Sequence, residues 1–208
     1  LYLTFNEVAP NHPIVIAGGG VVGSATAYYL RKQGFSGSIA IVEKDTTYQY
    51  TCTARSLGGI RQQFSTPQNI KLSLFGLDLV RNLKAEFGPD ADVGFKEQGY
   101  LILASEEGLP ILEENHRAQI AEGADNVILR GDELSARFPY LVTDGMAAGC
   151  FGLSGEGWVD PYSLMTLFRK TAVAKSPEGA AEPQKSPAKA PLLRAQIVRP
   201  PRAAEKAD

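Results

Sequence analysis

The spacing of hydrophobic positions along this chain changes several times, and each change marks an element. Ile14, Val15 and Ile16 form a short apolar run that meets Gly18, Gly20 and Gly23. Such a run stopped by glycine predicts a buried strand turning into the next element. Ala27 repeats the small position one turn after Gly23, Leu30 packs, and Gly34 closes a predicted helix. Ile39 to Val42 is a second apolar strand, ended by Glu43. After a polar loop from Lys44 to Gln63, Ser65 or Thr66 can cap a helix, Pro67 suits its first turn and Gly88 its end. Ile70, Leu74, Leu77, Leu83 and Phe87 mark its buried side, widened by Leu72, Phe75 and Leu79. Asp78, Arg81 and Lys84 form the solvated face.

Strand patterning then returns. Val93 to Lys96 and Tyr100 to Ala104 flank a predicted turn at Glu97-Gln98-Gly99. Ser105 is expected to open a helix with Glu106 and Glu107 in its first turn, where negative charge is favoured. Leu109, Leu112, His116 and Ile120 form its seam, which makes His116 a satisfied, half-buried histidine rather than a functional one. Asn126 to Leu129 is a further strand, and Asp132 caps a short helix that ends before Pro139. Asp160-Pro161 sets a capping carboxylate before a first-turn proline, so Asp160 reads as a helix cap rather than a catalytic acid. Leu164, Leu167 and Phe168 face inward along a helix that fades near Val173, while Trp158 reads equally as pocket wall or core. From Ser176 to Asp208 the chain holds six of its 13 prolines and no sustained period, which predicts a flexible tail.

The first strand, helix and second strand carry a chemistry as well as a shape. Gly18 permits the tight turn, Gly20 lets the backbone approach a pyrophosphate, and Gly23 lets the helix lie close to the strand. The bare amides of the helix N-terminus and its positive dipole end attract phosphate without any lysine or arginine. Glu43 lies about 20 residues on, where a carboxylate accepts both hydroxyls of a ribose. The alternative is a purely structural glycine turn. Glu43 in place of an arginine argues against a 2'-phosphate and so against NADP, but it leaves FAD and NAD undivided.

Within the polar loop, Ser56-Leu57-Gly58-Gly59-Ile60-Arg61 combines a hydroxyl, two amides freed of side chains and a cation, a second place for an anion to approach. Here the sequence resembles the FAD-dependent oxidoreductases of the D-amino-acid oxidase and sarcosine oxidase superfamily. Ser56 to Phe64, Pro67-x-Asn69-Ile70-x-Leu72-Ser73-Leu74-Phe75, Gly99-Tyr100-Leu101, Phe138-Pro139 and Glu156-Gly157-Trp158-x-Asp160-Pro161 are similar to one branch of it. That branch comprises mitochondrial FAD-dependent oxidoreductase-domain proteins linked to assembly of respiratory complex I. The resemblance covers about residues 14 to 172. It implies FAD rather than NAD, held by Gly18, Gly20, Val22, Gly23, Glu43, Lys44, Ser56, Gly58, Gly59, Ile60 and Arg61. It also implies hydride transfer to the flavin from a carbon beside the nitrogen of an amine or amino acid. Arg61 matches a position beside the isoalloxazine ring, where a cation stabilises reduced flavin; a salt bridge behind the site is its plainer reading. A mitochondrial location follows from the resemblance alone, as does a partnership with complex I assembly intermediates.

Composition narrows these options. Twenty-one basic and 23 acidic residues give a net charge of -2, so nothing electrostatic points to nucleic acid. No apolar run approaches the roughly 18 to 20 residues of a membrane span. Cys52 and Cys150 show no metal or disulfide spacing, which leaves a metal site without support and the compartment reducing. Cys52, in the loop, is read as a small apolar filler with covalent flavin tethering as the alternative, and Cys150 as a buried strand residue. His12 sits in a proline-bracketed arm and reads as solvated. No nucleophile elbow or catalytic triad order is present, and no catalytic residue can be named.

The expected architecture is α/β: a three-layer, Rossmann-like FAD-binding domain with an inserted mixed, largely antiparallel α+β substrate domain. Residues 1–89 begin the first, 90–157 begin the second, 158–175 return to the first, and 176–208 form a tail foreign to the family. At 208 residues the chain has about half the length of a complete two-domain flavoenzyme, so an incomplete portion, inactive by itself, is expected. The parent reads as an amine or amino-acid oxidoreductase, or as a non-catalytic flavoprotein acting in complex I assembly.

Overall fold

The computed structural model describes Tyr2–Leu3 and residues 13–175; the expectations for His12 and for Ser176 to Asp208 lie outside the described residues. In chain order the strands are β1 (Tyr2–Leu3), β2 (Ile14–Ala17), β3 (Ile39–Val42), β4 (Gly59–Ile60), β5 (Lys96–Glu97), β6 (Leu101–Ala104), β7 (Asn126–Leu129), β8 (Ala148–Gly152) and β9 (Gly157–Trp158). The helices are α1 (Val21–Lys32), α2 (Pro67–Arg81), α3 (Leu83–Phe87), α4 (Leu109–Ala121), α5 (Gly131–Arg137) and α6 (Pro161–Ala174).

β2, α1 and β3 make a parallel βαβ unit in a sheet ordered β1-β3-β2, with Ile14 opposite Ile39 and Ala17 opposite Val42. The alternation along β2 sends Ile14 and Ile16 toward the core and leaves Val15 53% exposed. α1 covers the inner face, and α6 lies along α1. Their shared core joins Ala27, Tyr28, Ile39, Ile41, Phe168 and Ala172. Tyr28, fully buried, meets Phe87 at 5.1 Å and Phe168 at 5.4 Å, and Phe87 meets Phe168 edge-on at 5.3 Å. Each such pair adds about 0.5–1.5 kcal/mol beyond area burial. The Tyr28 hydroxyl donates to Glu86, which also takes Lys32 at 2.5 Å.

Two antiparallel sheets complete the described structure, β4-β9-β5 and β6-β8-β7. α4 packs Leu112 against Ala148 and Cys150, while Leu134 and Phe138 of the α5 region pack on Phe151.

Several local expectations are corrected. The helix expected from Pro67 to Gly88 breaks at Asn82, whose side-chain amide donates to the Asp78 carbonyl at 3.0 Å and its carboxylate at 2.8 Å, competing with the helix ladder. Leu72 and Phe75 are 69% and 55% exposed, so the buried stripe is Ile70, Leu77 and Val80. Lys96–Glu97 does not pair back on Leu101–Ala104. The Gln98 and Gly99 amides donate instead to the Glu156 carbonyl, and β5 pairs with β9 while β6 pairs with β8. α4 starts after Gly108, with Pro110 in its first turn, so Glu106 and Glu107 fall before the helix. Its inner face holds Gln119, 4% exposed, while Ile120 is 47% exposed. α5 is capped at Arg130, and Asp132 sits in its first turn, where its charge still favours the helix end.

Candidate functional site

The turn between β2 and α1 is built by two glycines. Gly18 has φ 97°, a region closed to most side chains, and its amide donates to the Val42 carbonyl at 2.7 Å. A Cβ on Gly23 would lie 1.9 Å from the Gly18 carbonyl oxygen, so helix and strand approach only because it is absent. Glu43, 7% exposed, reaches under this turn: one carboxylate oxygen accepts the Gly19 amide at 2.7 Å and the other the Asp45 amide at 3.0 Å. An ionised carboxylate has about four acceptor positions, so capacity for two ribose hydroxyls remains.

Gly20, the N-cap of α1, has no side chain to offer the helix. Thr53 supplies it from 32 residues away, its hydroxyl accepting the Val21 amide at 3.1 Å. The amide of Val22 has no acceptor among the described residues. These groups border a groove of about 580 Å³ lined by Gly18, Gly20, Val22, Gly23, Glu43 and Lys44 together with Thr26, Asp45, Tyr50, Thr51, Cys52 and Thr53. A Cβ on Gly20 would lie 3.1 Å from the Thr53 hydroxyl. The open backbone, the free helix amide and the acidic ribose acceptor fit the ADP half of FAD. Cys52 is exposed on this groove, which corrects its reading as an apolar filler.

The loop after Glu43 is held by Tyr48, 1% exposed and, at φ 60°, left-handed. That conformation costs about 1–2 kcal/mol, offset here by burial of the ring and by the Arg169 guanidinium of α6, 5.2 Å from its centre. Burial raises the Tyr48 hydroxyl above its ordinary range, against the opposing pull of Arg169. α6 is thereby tied to the loop that follows Glu43.

The remaining predicted residues gather elsewhere. The Ser56 hydroxyl accepts the Gly58 amide at 3.0 Å, and Gly59 and Ile60 pair with Trp158 and Gly157. The loop's amides are thus partly spent on its own fold, and Arg61 is exposed. Its guanidinium lies 4.9 Å over Phe64, its carbonyl accepts the Ser73 hydroxyl, and it forms no ion pair among the described residues. Gly59, Ile60 and Arg61 line a second cleft of about 600 Å³ with Phe64, Asn69, Leu72, Ser73, Gly76 and Tyr100. Trp158 is 45% exposed, outside the core, and lines neither of these two clefts.

Other candidates resolve simply. His116 is half-buried and its Nε2 lies 3.3 Å from the Asn126 carbonyl. Asp160 caps α6, accepting the Tyr162 amide at 3.0 Å and the Ser163 hydroxyl at 2.6 Å, and the Ser163 bond chiefly holds its carboxyl below the usual range. Among the described residues no cluster of histidine, cysteine or carboxylate is placed to hold a metal ion, and no helix is long and apolar enough to cross a membrane. Thr53, Tyr100 and Glu156 were not among the residues predicted to form the site. Thr53 lies in a hydroxyl-rich stretch, Thr51-Cys52-Thr53, the one signal that pointed to it.

Comparison with known proteins adds the following. The family model described as "DAO: FAD dependent oxidoreductase" matches residues 13–178. The chain is 44% identical over 160 residues to the FAD-dependent oxidoreductase domain-containing protein 1 homolog of Drosophila melanogaster, covering 76% of this chain and 31% of that protein. It is 28% identical over 155 residues to mitochondrial dimethylglycine dehydrogenase of Homo sapiens, covering 72% and 17%. The chain spans about a third of the length of the oxidoreductase domain-containing relatives it matches. Among solved structures, L-proline dehydrogenase from P. horikoshii superposes with a TM-score of 0.68 at 27% identity, over 81% of this chain and 43% of that one.

Proposed function

Since this chain belongs to the DAO family of FAD-dependent oxidoreductases, we propose that it is the FAD-holding portion of a protein that oxidises the carbon–nitrogen bond of a small amine or amino acid. The observation that carries this is Glu43, buried and bonded to the Gly19 amide beneath the glycine turn, on the floor of a groove sized for a nucleotide. Bound FAD supplies the two-electron acceptor for the substrate's hydride. This chain's residues would bind and orient it: the Val22 amide and the α1 dipole would meet the pyrophosphate, and Glu43 would take the ribose hydroxyls. Arg61 offers positive charge in the second cleft, where the family resemblance puts the flavin ring. We assign residues 1–89 and 158–175 to the FAD-binding domain and 90–157 to the substrate domain. The L-proline dehydrogenase and dimethylglycine dehydrogenase likenesses support the substrate class, and the latter supports a mitochondrial location.

A second reading is supported by the resemblance of Ser56 to Phe64 to the complex I-linked branch. The higher identity to the domain-containing protein 1 homolog than to dimethylglycine dehydrogenase points the same way. In it the FAD is structural and the protein binds complex I assembly intermediates in the mitochondrion. The two readings separate in the full-length protein that contains this chain, purified with its flavin and mixed anaerobically with sarcosine, dimethylglycine, proline and several D-amino acids. Bleaching of the flavin by at least one, followed by dye reduction or peroxide release, is the expected result. A yellow protein bleached by none of them would overturn the enzymatic reading in favour of the second.

A further inference from the structure

Glu156 is 1% exposed, and an isolated carboxylate at that depth carries a large desolvation cost. The compensation comes entirely from N–H groups. Oε1 accepts the Gln62 amide at 2.6 Å and the Gln63 amide at 3.2 Å; Oε2 accepts the Gln63 side-chain amide at 2.8 Å and the Tyr100 amide at 3.2 Å. No cation pairs with it among the described residues. The space is made by glycine. A Cβ on Gly152 would lie 2.0 Å from Glu156 Oε2, and one on Gly155 would lie 2.0 Å from the Gln62 side-chain nitrogen.

The donors come from two segments that both open on the second cleft. Gln62 directly follows Arg61, and Tyr100 lines the cleft itself. The Tyr100 phenol also reaches Gly59, where a Cβ would lie 2.2 Å from its oxygen. Glu156 does not line the cleft, yet it holds the backbone on both sides.

We propose that Glu156 is a positioning residue that sets the separation of Arg61 and Tyr100, and with it the fit of the cleft to the ring end of FAD. The inference rests on the flavin reading above. An acceptor-only group is required because all four partners donate; a glutamine would turn an NH2 group on some of them.

The test compares FAD with ADP, which occupies only the glycine groove, in calorimetric titrations of the chain and its E156Q variant, alongside amide hydrogen exchange. In E156Q, ADP affinity should stay within about twofold while FAD affinity falls roughly tenfold, the loss expected when bonds to a charged acceptor are removed. Exchange at the Gln62, Gln63 and Tyr100 amides should rise roughly tenfold or more, with α1 and β3 unchanged. Equal losses of FAD and ADP, or unchanged exchange at those three amides, would overturn the role of Glu156. Failure of the unaltered chain to bind either nucleotide would overturn the flavin reading and this inference with it. If E156Q does not fold, E156D keeps the charge but withdraws it by one methylene. The same selective loss is expected in E156D, and FAD affinity and exchange equal to those of the unaltered chain would overturn the proposal.

Discussion

Cys52 and Cys150 show how far one residue type is set by its surroundings. Cys150, 1% exposed on β8, has its thiol pushed from the ordinary 9.0 up to about 11, first by burial and then by the nearby Glu156 carboxylate. A raised thiol in the fold means its contribution to stability is complete below pH 9.0 and is lost as the pH climbs toward about 11. At neutral pH a thiol reagent should therefore modify Cys52 alone in the folded chain, reach Cys150 only on unfolding, and be slowed at Cys52 by ADP in the groove. Labelling of Cys150 in the folded protein, or indifference of Cys52 to ADP, would contradict these placements. At this scale the local signals were readable: Gly18, Gly20, Gly23 and Glu43 act through neighbours and through the next strand. Thr53 and Glu156 were not, because their partners lie 32 and 94 positions away and no short pattern encodes such a bond.

Elements were legible where the apolar period was long or the cap explicit. β2, β3, β7, α1 and α6 stand close to where the pattern put them. Asp160 is the clearest case: it bonds to the Tyr162 amide and begins the helix that packs on α1. Asp160→Ala should cost about 1 kcal/mol in thermal or urea unfolding. Its folded carboxyl lies below the usual value, so the difference should be full above about pH 4 and shrink as the pH falls through the folded value. Equal stability of the two proteins at neutral pH would remove Asp160 from this role. The pattern failed where a distant backbone group decided the pairing. Val93 to Lys96 and Tyr100 to Ala104 looked like two arms of a hairpin, but Glu156 and the strands beside it draw β5 and β6 into separate sheets. Asn82 divides a helix whose apolar stripe runs through it unbroken, since a side chain bonding to the preceding turn leaves no mark on the stripe.

At the scale of the molecule, a parallel βαβ unit and two small antiparallel sheets present two sites. One is a glycine groove with an acidic floor; the other is a cleft bearing Arg61. The family, the cofactor and the fold class were legible because the glycine spacing, Glu43 and the Ser56 to Arg61 loop follow one another in a fixed order along the chain. We assign the glycine groove to FAD. Titrating the chain with FAD and with NAD in a calorimeter, and repeating both with Gly20→Val, tests that assignment most directly, because the added side chain crowds Thr53 and fills the approach of the pyrophosphate. FAD should bind at least roughly tenfold more tightly than NAD, and Gly20→Val should lose FAD while its melting temperature stays within about 4 °C of the unaltered chain. Equal or tighter binding of NAD, or undiminished binding of FAD to Gly20→Val, would contradict the account.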